Sequence, residues 1–173
     1  MSILKAVAVF LVLGRPIALL AQTTSPIIAD QLVYALNIRA TQSEAKVGEP
    51  ISIDIILTNI SNKALGIAFD MAGRSEFTYE VFVDNQQGVE APYTPYLRAL
   101  RGKLREPGDP DMLIQSDRKM WIVQPGKAVT THMDITRLCK IEVPGTYTVW
   151  VERLDQSSGI RVRSNTVSLT VNP

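Results

Sequence analysis

The sequence predicts an all-β protein, built as a two-sheet antiparallel sandwich of about eight strands with one long irregular loop. Two C-terminal segments predict it most directly. Segment 144–152 begins with a Pro-Gly turn and then alternates, so that Tyr147, Val149 and Val151 share one face. Segment 167–171 alternates in the same way, and helical periodicity is nearly absent after residue 21. This combination favours a sandwich over a mixed α/β fold.

Further runs of period two supply the remaining strands. The clearest is 51–58, where Ile51, Ile53, Ile55 and Leu57 point to one side, as in a strand with one buried face. Turn-forming residues separate this run from its neighbours. The other predicted strands lie at 32–39, 65–69, 77–83, 120–123 and 129–135, with a short return at 89–91 and a single helical turn at 136–140.

Residues 1–21 have the layout of a secretory signal peptide. Lys5 provides the positive charge, residues 6–13 form the apolar run, and Ala21 is a small residue before a polar segment. The apolar run is too short to cross a bilayer, which takes about 20 residues. We therefore expect a secreted or periplasmic protein, with residues 22–173 as one domain and no stable membrane insertion once the signal is removed.

The composition argues against several functional classes. The formal net charge of +1 gives no reason to expect nucleic acid as a partner. With a single cysteine, Cys139, and a single histidine, His132, the chain cannot assemble a zinc site of the usual kind. His132 is expected on the strand face opposite the core, and no nucleophile motif such as G-x-S-x-G accompanies it. We therefore expect a protein that is not an enzyme and has no cofactor and no metal site.

Three other side chains are expected to have structural roles. Cys139 cannot form an intrachain disulfide and is predicted to be a small buried residue, the alternative being a reactive or intermolecular thiol. Trp150 faces away from the predicted core, where the long loop or the N-terminal strand would cover it; otherwise it marks a contact surface. Tyr147 directly follows a turn, a position resembling the tyrosine corner of sandwich domains, in which the hydroxyl bonds back to a loop.

The segment 92–119 lacks alternation, contains four prolines and is predicted to be the long loop. Its basic half is the candidate binding site for a protein or a glycan, because guanidinium groups beside aromatic rings can dock an acidic partner or stack on a sugar. Two alternatives remain open: pairing of this half with the acidic residues 106–111, or a short helix that Leu100 and Leu104 tether to the sandwich. Those acidic residues are expected to be solvated rather than to bind calcium. The candidate binding residues are Tyr93, Tyr96, Arg98, Arg101, Lys103 and Arg105.

Four short segments resemble a known group of proteins. They read V-G-E-P-I-S-I at 47–53, L-T-N-I-S-N-K at 57–63, V-Q-P-G-K at 123–127 and P-G-T-Y-T-V at 144–149. This scheme is similar to that of secreted bacterial immunoglobulin-like domains of unknown role and, more weakly, to the intracellular proteinase inhibitor family of bacilli. The chain departs from the inhibitors in its apparent export signal and in its long loop. The resemblance implies an immunoglobulin-like sandwich, and its turn and strand motifs specify a fold rather than an activity.

The function expected from these observations is that of an exported, non-enzymatic binding or structural domain that presents loop 92–119 for protein or glycan contact. A proteinase inhibitor that presents the same loop is the first alternative. A small secreted hydrolase or a carbohydrate-binding accessory module is the second.

Overall fold

Alternating aliphatic and polar residues form strands along most of the chain. The computed structural model describes residues 32–102, 106–109 and 117–173. The protein is all-β, with 49% of residues in strands and 9% in helix, which confirms the predicted fold class at this level. The predicted signal peptide 1–21 lies outside the described residues.

The described residues hold ten strands, one α-helix and two short 3₁₀ turns. The strands are β1 Tyr34–Ala40, β2 Glu44–Lys46, β3 Ser52–Asn59, β4 Leu65–Asp70, β5 Glu80–Asn85, β6 Arg118–Val123, β7 Ala128–Asp134, β8 Gly145–Leu154, β9 Arg161–Arg163 and β10 Val167–Asn172. The helix α1 spans Pro95–Leu100, and the 3₁₀ turns span Ser75–Phe77 and Ile135–Arg137.

These strands form three hydrogen-bonded sheets. One sheet has the order β1-β3-β7, and another has the order β2-β10-β8-β5, with β9 also paired to β8. Strands β4 and β6 form a separate two-stranded ribbon. All pairs are antiparallel except β2 with β10, which is parallel. The several sheets are consistent with a sandwich, and the ribbon and the parallel pair are additions to the simple two-sheet antiparallel prediction.

The core lies where the alternating faces of the two larger sheets meet. Ile53, Ile55 and Leu57 of β3 have no exposed surface, and neither do Val149 and Val151 of β8. All of them belong to one cluster of buried residues. Burying each such side chain stabilises the fold by about 1.5–3 kcal/mol, which makes this cluster the main source of stability.

The structure corrects the predicted boundaries of two elements. Phe77 lies in the first 3₁₀ turn, so the strand predicted at 77–83 begins only at Glu80. The predicted loop 92–119 contains the helix α1 and includes the first two residues of β6. The helix has only six residues, which is too short to show helical periodicity in the sequence. Thr94 caps it by accepting a hydrogen bond from Leu97 N, and Pro95 lies in its first turn.

Two structural roles expected for single side chains are found in the structure. Cys139 is 1% exposed, as predicted, and burial raises the pKa of its thiol to about 12. The Tyr147 hydroxyl donates a hydrogen bond to the Val143 carbonyl over 2.8 Å, which is the predicted bond back to a loop. Both groups therefore serve packing in the described part of the chain.

Trp150 has contacts on its own sheet that the sequence did not indicate. Its ring stacks on Phe82 of the neighbouring strand β5, with ring centroids 5.2 Å apart, and the Arg163 guanidinium lies 4.3 Å from its centroid. Cross-strand neighbours on its own sheet therefore contact the ring. Register decides this, because Phe82 is directly opposite Trp150 in the ladder.

Candidate functional site

Arg98, the first basic residue of the candidate segment, is buried in an ion pair. Its guanidinium donates to both carboxylate oxygens of Asp109, at 3.0 and 2.5 Å, and to the Tyr93 carbonyl at 2.8 Å. Glu106 adds a further carboxylate oxygen 3.3 Å away. Arg98 is 8% exposed, and its hydrogen bond lowers the pKa of Asp109. Arg98, one residue of the basic half, thus pairs with the acidic half, as one alternative anticipated for the whole half.

Arg101 connects the end of α1 to strand β5. It donates one hydrogen bond to the Tyr93 hydroxyl at 2.7 Å and another to the Val81 carbonyl at 2.9 Å. Its guanidinium also lies 4.9 Å from the Tyr93 ring centroid and 5.6 Å from that of Phe82. These contacts place Arg101 in a network that holds the helix against the sheet edge.

The two tyrosines of the candidate segment are also engaged. The Tyr93 hydroxyl donates to Glu90, and the Tyr96 hydroxyl donates to Glu76 over 2.8 Å. Burial, assisted by these carboxylates, raises the pKa of each tyrosine to about 12. Arg137 covers the Tyr96 ring at 5.2 Å from its centroid.

The structure therefore brings Tyr93, Arg98 and Arg101 together and places Tyr96 on the same helix with a separate partner. Lys103 and Arg105 lie outside the described residues, as do Leu104 and Asp111. The four described candidates make internal hydrogen bonds, so their polar groups support the local structure around α1. Their proposed role in partner contact stays a prediction.

A broad cleft of about 1230 Å³ opens beside these residues. One side is the ribbon face with Gly66, Ala68 and Met120; another is the end of α1 with Ala99 and Leu100. Buried Tyr34, Ile67 and Tyr79 line its base. Phe77, Phe82, Glu80, Glu152 and Arg153 complete its aromatic and charged lining.

Sequence reasoning missed this cleft, although a weak signal was present. In β6, Met120 and Ile122 alternate with Trp121 and Val123, so both faces of that strand carry apolar residues. Met120 is 58% exposed and Ile122 66% exposed. A strand that is apolar on both faces and exposed on one is typical of a contact surface.

Arginine side chains cover many of the aromatic rings near the cleft. Arg153 lies over Tyr79 at 5.2 Å, and Arg74 lies over Phe77 at 4.6 Å. Arg101 covers Phe82, as described above. Such cation–π contacts stabilise each pair by about 0.5–1 kcal/mol at exposed sites and leave less open ring surface for a ligand.

His132 lies near a carboxylate on the outer face of the β1-β3-β7 sheet. Asp54 at the centre of that face accepts hydrogen bonds from Arg39 at 3.2 and 2.5 Å, and its other oxygen lies 2.6 Å from His132 Nδ1. The Arg39 hydrogen bond is the main cause that lowers the pKa of Asp54, with His132 adding to it. His132 itself is 76% exposed, as predicted for a surface residue.

This arrangement is an open row across three strands rather than an enclosed site. Arg39, Asp54 and His132 are cross-strand neighbours in register. A general base would need a nucleophile within hydrogen-bond reach, and no hydrogen bond joins the His132 side chain to a hydroxyl in the described parts of the chain. Among the same residues no group of three or more metal-ligating side chains comes together, and no helix is long and apolar enough to cross a bilayer.

Comparison with known proteins finds no matching family model and no matching curated protein. Solved structures with some similarity include the β-glucosidase from Listeria innocua in complex with isofagomine (14% identity, TM-score 0.43, 81% of this chain and 16% of that one). Another is a CARDB domain from Pyrococcus furiosus in complex with di-metal ions (8% identity, TM-score 0.40, 80% of this chain and 91% of that one). A third is the Pseudomonas fluorescens alkylpurine DNA glycosylase AlkC bound to DNA (10% identity, TM-score 0.43, 82% of this chain and 31% of that one). The chain thus spans only a minor part of the glucosidase and the glycosylase. These similarities are too low to support an argument about function.

Proposed function

We propose that this chain is an exported, non-enzymatic, immunoglobulin-like domain that binds a protein partner in the cleft between the β4–β6 ribbon and helix α1. The observation that carries the proposal is the cleft itself, about 1230 Å³ in volume, with exposed Met120 on its wall and exposed Ile122 on the same ribbon face. Large apolar side chains held at a concave surface favour a partner that can bury them. The bond from Tyr147 to Val143 supports the immunoglobulin-like assignment.

The coverage of the aromatic rings by arginine side chains favours a protein partner over a glycan. Sugar rings stack on exposed flat aromatic faces, whereas Phe77, Phe82 and Tyr79 carry arginine guanidinium groups. A protein instead supplies apolar side chains that fit against Met120 and Leu100, and a flexible methionine adapts to such contacts. The proteinase inhibitor alternative receives less support, because the Arg98 and Arg101 side chains are held by internal hydrogen bonds.

The proposal is tested by filling the cleft from the helix side. Ala99→Trp introduces a large ring where Ala99 lines the cleft, and Ala128→Trp is the matched control at an exposed position outside it. Peptides would be selected from a displayed random library on the immobilised wild-type domain and their affinities measured by fluorescence polarisation. We expect at least one class of selected peptide to bind Ala99→Trp roughly tenfold more weakly and to bind the control unchanged.

Two outcomes of this experiment would reject the proposal. One is a selection that yields no specific peptide at all. The other is a set of peptides that all bind Ala99→Trp and wild type equally well. Thermal unfolding of both variants shows whether each is folded before its affinity is measured.

A further inference from the structure

Strand β6 has one edge that forms no hydrogen bonds with the described residues of the chain. Met71 N donates a hydrogen bond to Asp117 O at the start of the β4–β6 ladder. Because hydrogen-bonded and non-hydrogen-bonded pairs alternate along an antiparallel ladder, this bond determines which residues of β6 face β4. By that alternation the backbone N–H and C=O groups of Arg118, Met120 and Ile122 point away from β4. No other strand of the described residues pairs with β6 on that side.

The edges of the two larger sheets are protected by specific groups. On β1, Asn165 accepts from Ile38 N at 2.7 Å and donates to Ile38 O at 3.0 Å. On β5, the Val81 carbonyl accepts from Arg101 and the Val83 carbonyl accepts from Ala91 N at 2.7 Å.

Similar protection occurs at β7 and at the outer edge of β4. The Ser75 hydroxyl donates to the His132 carbonyl on β7, and Arg153 donates to the Ala68 carbonyl on β4 over 3.3 Å. An unprotected strand edge is a template for pairing with another chain, so proteins normally block it in such ways. Among the described strands of six or more residues that lie at an edge, β6 lacks such a block.

The side chains of β6 suit an extended, acidic ligand. Met120 and Ile122 are more than half exposed and lie on one face of the ribbon. Arg118 and Lys119 are exposed beside them and make no ion pair within the described parts of the chain, while exposed Asp117 is the one carboxylate next to them in sequence. The two cations favour a partner with carboxylates at one end of its pairing segment.

Gly66 contributes to the shape of this face. A Cβ placed on Gly66 would come within 2.7 Å of the terminal methyl carbon of Met120. The missing side chain thus lets Met120 lie directly against the backbone of β4, across the ribbon.

We infer that an extended segment of a partner protein, with alternating apolar side chains and a carboxylate near one end, adds to β6 as a third strand of the ribbon. This inference goes beyond the cleft, because it adds backbone pairing at the edge of β6 as a mode of recognition, although Met120 and Ile122 contribute to both proposals. Backbone hydrogen bonds to Arg118, Met120 and Ile122 would hold the segment, and its apolar side chains would extend the Met120–Ile122 face.

The test selects displayed random decapeptides that bind the wild-type domain and not the Ile122→Pro variant. Proline removes the outward N–H of Ile122 without breaking the ladder to β4, because edge positions tolerate proline. Ile122→Thr is the matched control, since it loses apolar surface but keeps the N–H. We expect selected peptides to alternate apolar and polar residues, to carry Asp or Glu near one end, and to bind Ile122→Thr better than Ile122→Pro.

The selected peptides are then resynthesised with N-methyl groups on alternate residues, which keeps the test valid even if the proline variant is poorly folded. Strand addition requires that methylation in one register weakens binding roughly tenfold or more while methylation in the other register leaves it nearly unchanged. Equal effects in both registers, or no peptide that distinguishes the variants, would overturn the inference. A wild-type dimer in sedimentation that Ile122→Pro abolishes would also overturn it, since the occupant would then be a second copy. Peptides that respond to Ala99→Trp and not to these changes would leave the cleft proposal intact.

Discussion

At the scale of single residues, charged side chains in this domain are engaged mostly by their neighbours within the chain. Arg98 is buried against Asp109, and Asp54 accepts from Arg39 while lying beside His132. Such pairs are placed by the fold, and losing one partner leaves a buried charge poorly compensated. A run of charged residues in the sequence therefore suggests more charge available for binding than the folded domain presents.

Asp54 predicts a specific dependence of stability on pH. Its pKa in the folded state lies below the usual value of 3.8, chiefly because Arg39 donates to it. A lowered folded-state pKa contributes stability that is fully present above the unfolded-state pKa and is lost as the pH falls through the folded-state value. We expect Asp54→Asn to be less stable than wild type at pH 7 and to lose less further stability below about pH 4.

Urea unfolding followed between pH 7 and pH 3 measures this difference. Asp117→Asn, at an exposed position before β6, serves as the reference. Parallel stability curves for wild type and Asp54→Asn across this range would contradict the assignment.

At the scale of elements, the contrast between protected and open strand edges is the main feature. Asn165 protects β1 with two hydrogen bonds to the backbone of Ile38, although Asn165 itself is exposed. The sequence predicts the position of β1 from its alternation, yet nothing in that alternation indicates which distant residue caps its edge. Edge protection is a long-range property, since Asn165 and Ile38 lie 127 positions apart.

Replacing Asn165 with alanine should loosen the β1 edge. Loss of two hydrogen bonds is expected to lower the free energy of unfolding by about 1–3 kcal/mol, at about 1 kcal/mol for each bond. Hydrogen exchange by NMR should show faster exchange of the Ile38 amide in particular. Asn62→Ala at an exposed turn position is the control, and equal exchange at Ile38 in both variants would refute a capping role for Asn165.

At the scale of the whole molecule, the two larger sheets share one core. Ile55 at the centre of β3 has no exposed surface and belongs to the same cluster as Val149 on β8. The open edge of β6 belongs to the ribbon, which forms a sheet of its own, and the cleft lies between the ribbon, helix α1 and residues of the larger sheets. Ile67 and Val123 on one face of the ribbon join the same core cluster, while Met120 and Ile122 on its other face are exposed.

Truncation of Ile55 tests the shared core. Ile55→Ala should lower the free energy of unfolding by about 2–5 kcal/mol, because a buried isoleucine loses its transfer energy and leaves a cavity. Ile60→Ala is the matched control at a 54% exposed position and should change stability by less than about 0.5 kcal/mol. Chemical denaturation measures both, and a similar small effect at the two sites would argue against Ile55 as a core residue.

The sequence alone determined the all-β class, most strand positions and the burial of Cys139, because period-two alternation and turn residues act locally along the chain. It missed β2 and β9, whose three residues each are too few to show alternation, and it left the short helix α1 as one open alternative within the long loop. Only the tertiary structure decided that Arg98 and Arg101 make internal contacts, that a cleft opens beside them, and that β6 keeps an unprotected edge. These features depend on which distant segments meet, and no local pattern of residues specifies that.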